Sequence, residues 1–219
     1  MFSRIQVRGY RCLKGIDQPL SRFQAMVGPN ASGKTTLLDV VLLLGDLMRS
    51  RGEVREVVGR RSADFSKLLW KGEGSSFQIA VEAPIPETVR GRMTQDKQRY
   101  SLARYEIEIG FDAESNTIGL DHETLWLITP PRLKPEVQCR LFPETRRDPG
   151  SLFLDRGTGK RVAINKKPGG NDNFYTEGSK SYMPSFRLGR TRSALANVPA
   201  DPASFPVSLW FREMLEDSV

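Results

Sequence analysis

The sequence predicts an α/β domain in which a glycine-rich loop joins a short strand to a buried helix, with a mostly antiparallel β region following. Three observations carry that prediction. The apolar run FQAMVG (23–28) leads into GPNASGKT (28–35), and a run of apolar residues continues from Lys34 to about Met48. From Ser75 onward, apolar and polar residues alternate with period two, the spacing of a half-buried strand.

In chain order, FSRIQVRG and CLKGIDQPL read as two opening strands, and FQAMVG is short and apolar enough to be a buried third. In the helix that follows, Leu37, Leu38, Val40, Val41, Leu42, Leu43, Leu44, Leu47 and Met48 leave little room for a polar face. The expectation is a core helix buried on nearly every side. It does not read as a membrane span, because Asp39 and Asp46 interrupt a run shorter than the roughly 20 apolar residues that a span needs. The N-terminus alternates like a strand and lacks the apolar core and small-residue cleavage site of a signal peptide, so a cytoplasmic location without a membrane partner is expected.

Residues 49–74 are charged with scattered apolar positions, which suggests short helices or an irregular surface insertion. The stretches SSFQIAVEAPI, YSLARYEIEIGFD, NTIGLDHETLWLI and SLFLDRGTGKRVAIN then read as antiparallel strands, with Gly157-Thr158-Gly159 as a hairpin turn. Between them, APIPETVRGRMTQDKQR reads as a mobile loop. Residues 165–193 are rich in Gly, Ser, Asn, Lys and Arg and look like a poorly ordered linker. The last stretch, DPASFPVSLWFREMLEDSV, returns to helix, with Leu209, Trp210, Met214 and Leu215 as its apolar stripe. This divides the chain into an N-terminal core built around the glycine-rich loop (1–60), an antiparallel β-rich subdomain with charged insertions (61–165), a flexible linker (166–200) and a C-terminal helix that begins a longer segment (201–219). No internal repeat is evident.

Composition sets outer bounds. A chain of 219 residues, 38% hydrophobic and 27% charged, is ordinary for one large or two small globular domains. Its 33 Lys+Arg against 26 Asp+Glu give a formal charge of +7, which permits polyanionic partners such as nucleic acid or nucleotide phosphates. The basic residues gather at Arg49, Arg51, Arg55, Arg60 and Arg61, at Lys166 and Lys167, and at Arg187, Arg190 and Arg192. For each group, solvation or pairing with acidic neighbours explains the charge as well as DNA does. Cys12, Cys139 and His122 have no metal-ligand spacing, so neither a structural metal nor a disulfide framework is expected.

Residues 28–35 match G-x-x-x-x-G-K-[ST] at every fixed position, between an apolar run and a helix, the context that gives this P-loop pattern its meaning. Gly28 and Gly33 allow backbone angles that a side chain would forbid, so successive N–H groups can turn toward one phosphate. The helix that begins there points its orphan N–H groups and positive end at the same anion. Lys34 can reach the β- and γ-phosphates, and the Thr35 hydroxyl can ligate Mg²⁺. The expected ligand is ATP with Mg²⁺.

IQVRGYRCLKGIDQPL followed by MVGPNASGKTTLLDVVLLL closely resembles the N-terminus of ABC-type ATPases of the SMC/Rad50/RecF kind. It is especially similar to the bacterial AAA-family ATPases related to the overcoming-lysogenization-defect (OLD) and abortive-infection proteins. The Tyr10-Arg11 pair, Asn30 within the loop, and the later YEIEIGF, HETLWL and LFLDRGTGK runs carry the resemblance, which is strong over residues 1–48 and textural to about residue 160. It implies a P-loop NTPase fold, an incomplete ABC/SMC-like head with a β-rich arm. It also implies ATP held between two such heads as a homodimer. The implied nucleotide contacts are Gly28, Pro29, Asn30, Ala31, Ser32, Gly33, Lys34, Thr35 and Thr36, with Arg11 approaching from the strand turn or simply lying on the surface beside it. Thr35 is the implied metal ligand. An effector nuclease or toxin, or nucleic acid, would be the partner, in a setting of antiviral defence.

Hydrolysis in this family needs a Walker B strand ending in Asp-Glu. The nearest imitation is SLFLDRG, where Arg156 follows Asp155, and a strand end before a turn explains that aspartate already. The LSGGQ-like signature and a switch histidine are also absent, and Gln138 is the sole candidate for the lid glutamine, with a surface role favoured. The chain therefore reads as the N-terminal part of a longer ATPase, or one piece of a split enzyme, able to bind ATP without hydrolysing it alone. Its sheet would lack strands, leaving apolar edges for another segment to cover. Two rival readings are a P-loop kinase or nucleotide transferase and a non-catalytic, nucleotide-gated platform for DNA or protein.

Overall fold

The computed structural model describes the chain except Gln24, Ala31, residues 131–149, Pro168, residues 179–181 and Val219. Its strands are β1 (Arg4–Tyr10), β2 (Leu13–Pro19), β3 (Ser76–Pro84), β4 (Leu102–Asp112), β5 (Thr117–Ile128), β6 (Lys160–Lys166), β7 (Asp172–Phe174) and β8 (Ser185–Phe186). The helices are α1 (Lys34–Arg49), α2 (Val54–Gly59), α3 (Glu87–Arg90) and α4 (Pro206–Glu216). All eight strands join one sheet, in the order β2–β1–β3–β4–β5–β6–β7–β8, and each neighbouring pair is antiparallel. The sheet runs without a break across the boundary that composition placed at 60/61, because β1 pairs with both β2 and β3.

Period-two alternation sets the two faces of this sheet. Val7 lies opposite Ile79 and Ile79 opposite Ile107, and all three are buried in the core with Ile5, Val81 and Leu125. Helices α1 and α4 contribute Leu43, Leu44, Leu47, Phe211 and Leu215 to the same core. Burying a side chain of this size contributes about 1.5–3 kcal/mol, so these residues fix α1 on the sheet. The opposite face is polar yet also covered. Arg104 donates from Nη1 to Gln6 and Glu82, each at 2.6 Å, and from Nη2 to the Leu152 carbonyl at 2.7 Å. Leu152 N donates to Gln78 Oε1 at 3.0 Å and Leu154 N to Glu106 Oε1 at 3.1 Å.

Several expectations change here. FQAMVG is not a buried strand: residues 25–29 have no strand pairing, and Phe23 and Val27 are 89% and 94% exposed. An apolar run becomes a strand only where a neighbour offers a ladder, and no described strand lies beside this one. Nor is α1 buried all round, since Leu38 and Leu42, one turn apart, are 52% and 39% exposed. Of SLFLDRGTGKRVAIN only β6 is a strand; residues 151–154 instead cross the polar face, where Gln78 and Glu106 capture backbone amides that a hairpin would have used.

The segment expected as a mobile loop, 83–99, folds against the core through α3, and Met93 and Lys97 are buried. The stretch expected as a linker also carries structure, in β7, β8 and a short 3-10 turn at Leu195–Asn197. Buried acids hold it. Asp172 pairs with Lys166 and accepts from Leu188 N at 2.8 Å. Glu123 accepts from Ser193 Oγ at 2.6 Å, Ala194 N at 2.6 Å and Leu195 N at 2.9 Å. Glu177 accepts from Val207 N and Ser208 N at the start of α4. Burial pushes the Glu177 carboxyl up to about 7, against the pull of these donors and the Ser208 hydroxyl.

Candidate functional site

The loop that composition singled out lies on the surface at the N-terminus of α1. Gly33 caps the helix with φ 90° and ψ 4°, a left-handed conformation that a side chain strains. A Cβ there would also stand 2.9 Å from Leu13 Cδ2. The backbone angle favours glycine, and the Leu13 methyl would also have to shift for a side chain. At Gly28 the angle is ordinary, but a Cβ would lie 3.0 Å from Ser32 Oγ.

The first turn of any helix has N–H groups without partners in the helix. In α1 the N-cap, Gly33, has no side chain to cap them, and the turn contains no acidic residue. The loop thus presents donors and a positive helix end to solvent, an arrangement that favours an anion. Lys34 adds a cation to the same spot. Its Nζ folds back to donate to the Gly28 carbonyl at 2.6 Å, the Pro29 carbonyl at 2.7 Å and Ser32 Oγ at 3.1 Å. Thr35 is exposed and Thr36 half-buried beside it. Asn30 and Ser32 are exposed on the same loop, and Ala31 lies outside the described residues.

The β1–β2 turn supports the loop from below. Cys12 Sγ lies 3.2 Å from Thr36 Oγ1 and packs near Gly33. Arg11 has φ 49°, uncommon for a residue with a side chain, and its Nη1 pairs with Asp39 Oδ2 at 3.1 Å. Asp39 also accepts from Tyr10 Oη at 2.6 Å and from Arg61 Nε at 3.0 Å. Arg61 then reaches Asp46, two turns along α1, at 3.0 Å. Burial and the Asp39 bond push the Tyr10 phenol well above its usual range, so it remains a donor. Partial burial pushes Asp46 up, but Arg49 and Arg61 together hold it below the ordinary carboxylate value.

Sequence reasoning missed Cys12, Asp39 and Arg61. The sequence signal for the two charged residues was available: aspartates inside an otherwise apolar helix need partners, and an arginine cluster follows directly. Arginines of that cluster and of the later group at 187–192 meet carboxylates in the fold. Arg49 pairs with Asp46, Arg60 with Glu56, Arg190 with Asp121 and Arg192 with Glu53. Asp155 is exposed and ends no strand, and its carbonyl accepts from Lys160 Nζ at 2.9 Å. His122 lies far along the sheet, stacked on Phe153 at 3.9 Å, and burial lowers its pKa. Gln138 lies outside the described residues.

No family model matches the chain. It is 51% identical over 174 residues to the OLD nuclease of Thermus scotoductus, a match covering 68% of this chain and 31% of that protein. It is 33% identical over 79 residues to the zinc uptake system ATP-binding protein ZurA of Listeria monocytogenes, covering 34% of this chain and 30% of that protein. The chain is thus related to an OLD nuclease and to ABC-type ATP-binding proteins, and it spans about a third of the length of each of these relatives. A solved structure concerned with ATP-driven dimerization and DNA-stimulated activation of SMC ATPases aligns at TM-score 0.36 with 18% identity, over 57% of this chain and 68% of its own. Among the described residues, no helix is long and apolar enough to cross a membrane.

Proposed function

We propose that the chain is the ATP-binding portion of an ABC-type ATPase with a P-loop NTPase fold, and that Gly28–Thr36 is its Walker A loop. One observation carries this reading. A sixteen-residue helix opens on a left-handed glycine that offers no side-chain cap, with no acid in its first turn, beside a lysine whose hydrogen-bond partners among the described residues are the loop's own oxygens. In this reading the amides of the loop and the first turn of α1, with Asn30 and Ser32 beside them, surround the β- and γ-phosphates. Lys34 exchanges loop oxygens for phosphate oxygens, and Thr36, held by Cys12, supports the phosphates. Bound Mg²⁺ would neutralise phosphate charge, with the Thr35 hydroxyl as the ligand this part of the protein supplies. Arg11 is oriented by Asp39 at the edge of the loop.

Residues 1–60 then form the nucleotide-facing part, and the later strands are an arm continuing the same sheet. The exposed Phe23, Val27, Leu38 and Leu42 suit a surface covered by a further segment, which would also carry the groups for hydrolysis. The likeness to the OLD nuclease and the ATP-binding relatives supports extending the reading to a homodimer of ATP-bridged heads coupled to an effector or nucleic acid, in cytoplasmic anti-phage defence. The kinase reading loses ground, because a compact kinase is built from parallel βαβ units and these strands are antiparallel.

Titration calorimetry with Mg-ATP tests the assignment. Hydrogen bonds to charged groups contribute roughly 1.5–3 kcal/mol, so Lys34→Ala should weaken ATP binding about ten- to a hundredfold. Unchanged affinity would remove Lys34 from the site.

A further inference from the structure

We propose that a cavity beside Trp70 is a second binding site, for a single strand of nucleic acid, with Trp70 as the stacking platform and Lys14 and Lys71 as phosphate contacts. The cavity has a volume of about 450 Å³ and is lined by Arg8, Lys14, Trp70, Glu73 and Gln78, among others. The Lys14 and Lys71 ammonium groups stand 5.2 and 4.7 Å from the Trp70 ring centroid. Both lysines are exposed, and neither forms an ion pair with a described residue. This distinguishes them from the arginines described above, whose charges face carboxylates.

Two like charges gathered at one indole repel each other, and at an exposed site the ring attracts each only weakly. The backbone nevertheless holds one of them there at a conformational cost. Lys71 has φ 55° and ψ 15°, a left-handed conformation unfavourable for a residue with a side chain, and Gly72 and Gly74 follow it at φ 71° and 87°. A half-buried ring with unpaired cations suits a strand whose base stacks on the indole while its phosphates draw the ammonium groups away. A duplex keeps its bases paired and cannot stack in this way. Nor does the nucleotide of the loop fit, because Arg8 and Gln78 alternate with Val7 and Ile79 and lie on the sheet face away from α1. The site therefore stands or falls independently of the ATP reading.

Fluorescence anisotropy with a labelled twenty-nucleotide oligo-dT at low salt tests this. Binding should weaken about 5- to 150-fold in Trp70→Ala and be largely retained in Trp70→Phe, which reports an intact fold. Lys14→Ala and Lys71→Ala should each reduce the slope of log affinity against log salt by about 0.7. Lys34→Ala should bind the oligonucleotide as the unaltered chain does. The proposal is overturned if the unaltered chain does not bind oligo-dT or if Trp70→Ala binds equally well. It is also overturned if a duplex of the same length binds as tightly, or if Trp70→Ala loses ATP rather than oligo-dT.

Discussion

The loop at residues 25–36 and the segment at residues 172–197 each carry two glycines among serine, threonine and asparagine, yet they behave as opposites. In the segment, backbone amides meet buried carboxyl groups: Leu188 meets Asp172, and Ala194 and Leu195 meet Glu123, while Glu177 anchors the same segment to the start of α4. In the loop the first turn of α1 contains no acidic residue, and residues 25–30 are exposed. Backbone donors need acceptors wherever they are placed. The segment finds its acceptors inside the protein and becomes structural, whereas in the proposed reading the loop keeps its donors for a ligand.

The largest effect should come from removing an acceptor from the ordered segment. Glu123→Ala strands the amides of Ala194 and Leu195 and the hydroxyls of Ser193 and Tyr105, all in the interior. It should cost about 3–5 kcal/mol in urea denaturation, while ATP affinity of the folded fraction stays unchanged. A loss below about 1 kcal/mol would mean that packing, not the carboxyl group, orders the segment.

A second test uses pH. The folded Glu177 titrates at about 7 against an ordinary 4.5, so its contribution is greatest below pH 4.5 and is lost as pH rises through 7. At 1.36 kcal/mol per unit this amounts to about 3 kcal/mol, and Glu177→Gln should abolish that dependence. Stability that rises across the same interval through this residue would reverse the assignment.

Gly33→Ala strains the left-handed cap and presses on Leu13, so a loss of about 1–3 kcal/mol in stability together with ATP binding is expected. Normal ATP affinity in a folded Gly33→Ala chain would show that the cap geometry does not shape the site. The smallest stability effect belongs to Lys34→Ala, which should shift unfolding by less than about 0.5 kcal/mol despite its loss of ATP affinity. A large destabilisation would instead make Lys34 a structural clamp on Gly28 and Pro29.

The same contrast explains what could be read from the sequence. β1, β2, β3, β4 and β5 and the start of α1 were legible because alternation and the G-x-x-x-x-G-K-[ST] spacing are local properties of the chain. The segment at 172–197 was not, because its order depends on Glu123, some seventy residues earlier in sequence, and on Lys166 within β6. Residues 151–154 misled for the same reason: an alternating pattern suited a strand, but Gln78 and Glu106 on other strands took up its amides. FQAMVG showed the converse, since apolar residues promise burial only where a neighbouring strand exists. Within the candidate site, the left-handed Gly33 and the placement of Lys34 beside it followed from spacing, while Cys12 and the Asp39–Arg61 pair required three-dimensional proximity to be seen.

Amide hydrogen exchange with and without Mg-ATP tests the central claim most directly, that the donors at the start of α1 await an anion. The account predicts that ATP slows exchange from Ser32 to Thr36 and leaves Leu188, Ala194 and Leu195 as they were. Unchanged exchange from Ser32 to Thr36 at saturating nucleotide, with protection appearing elsewhere, would contradict it.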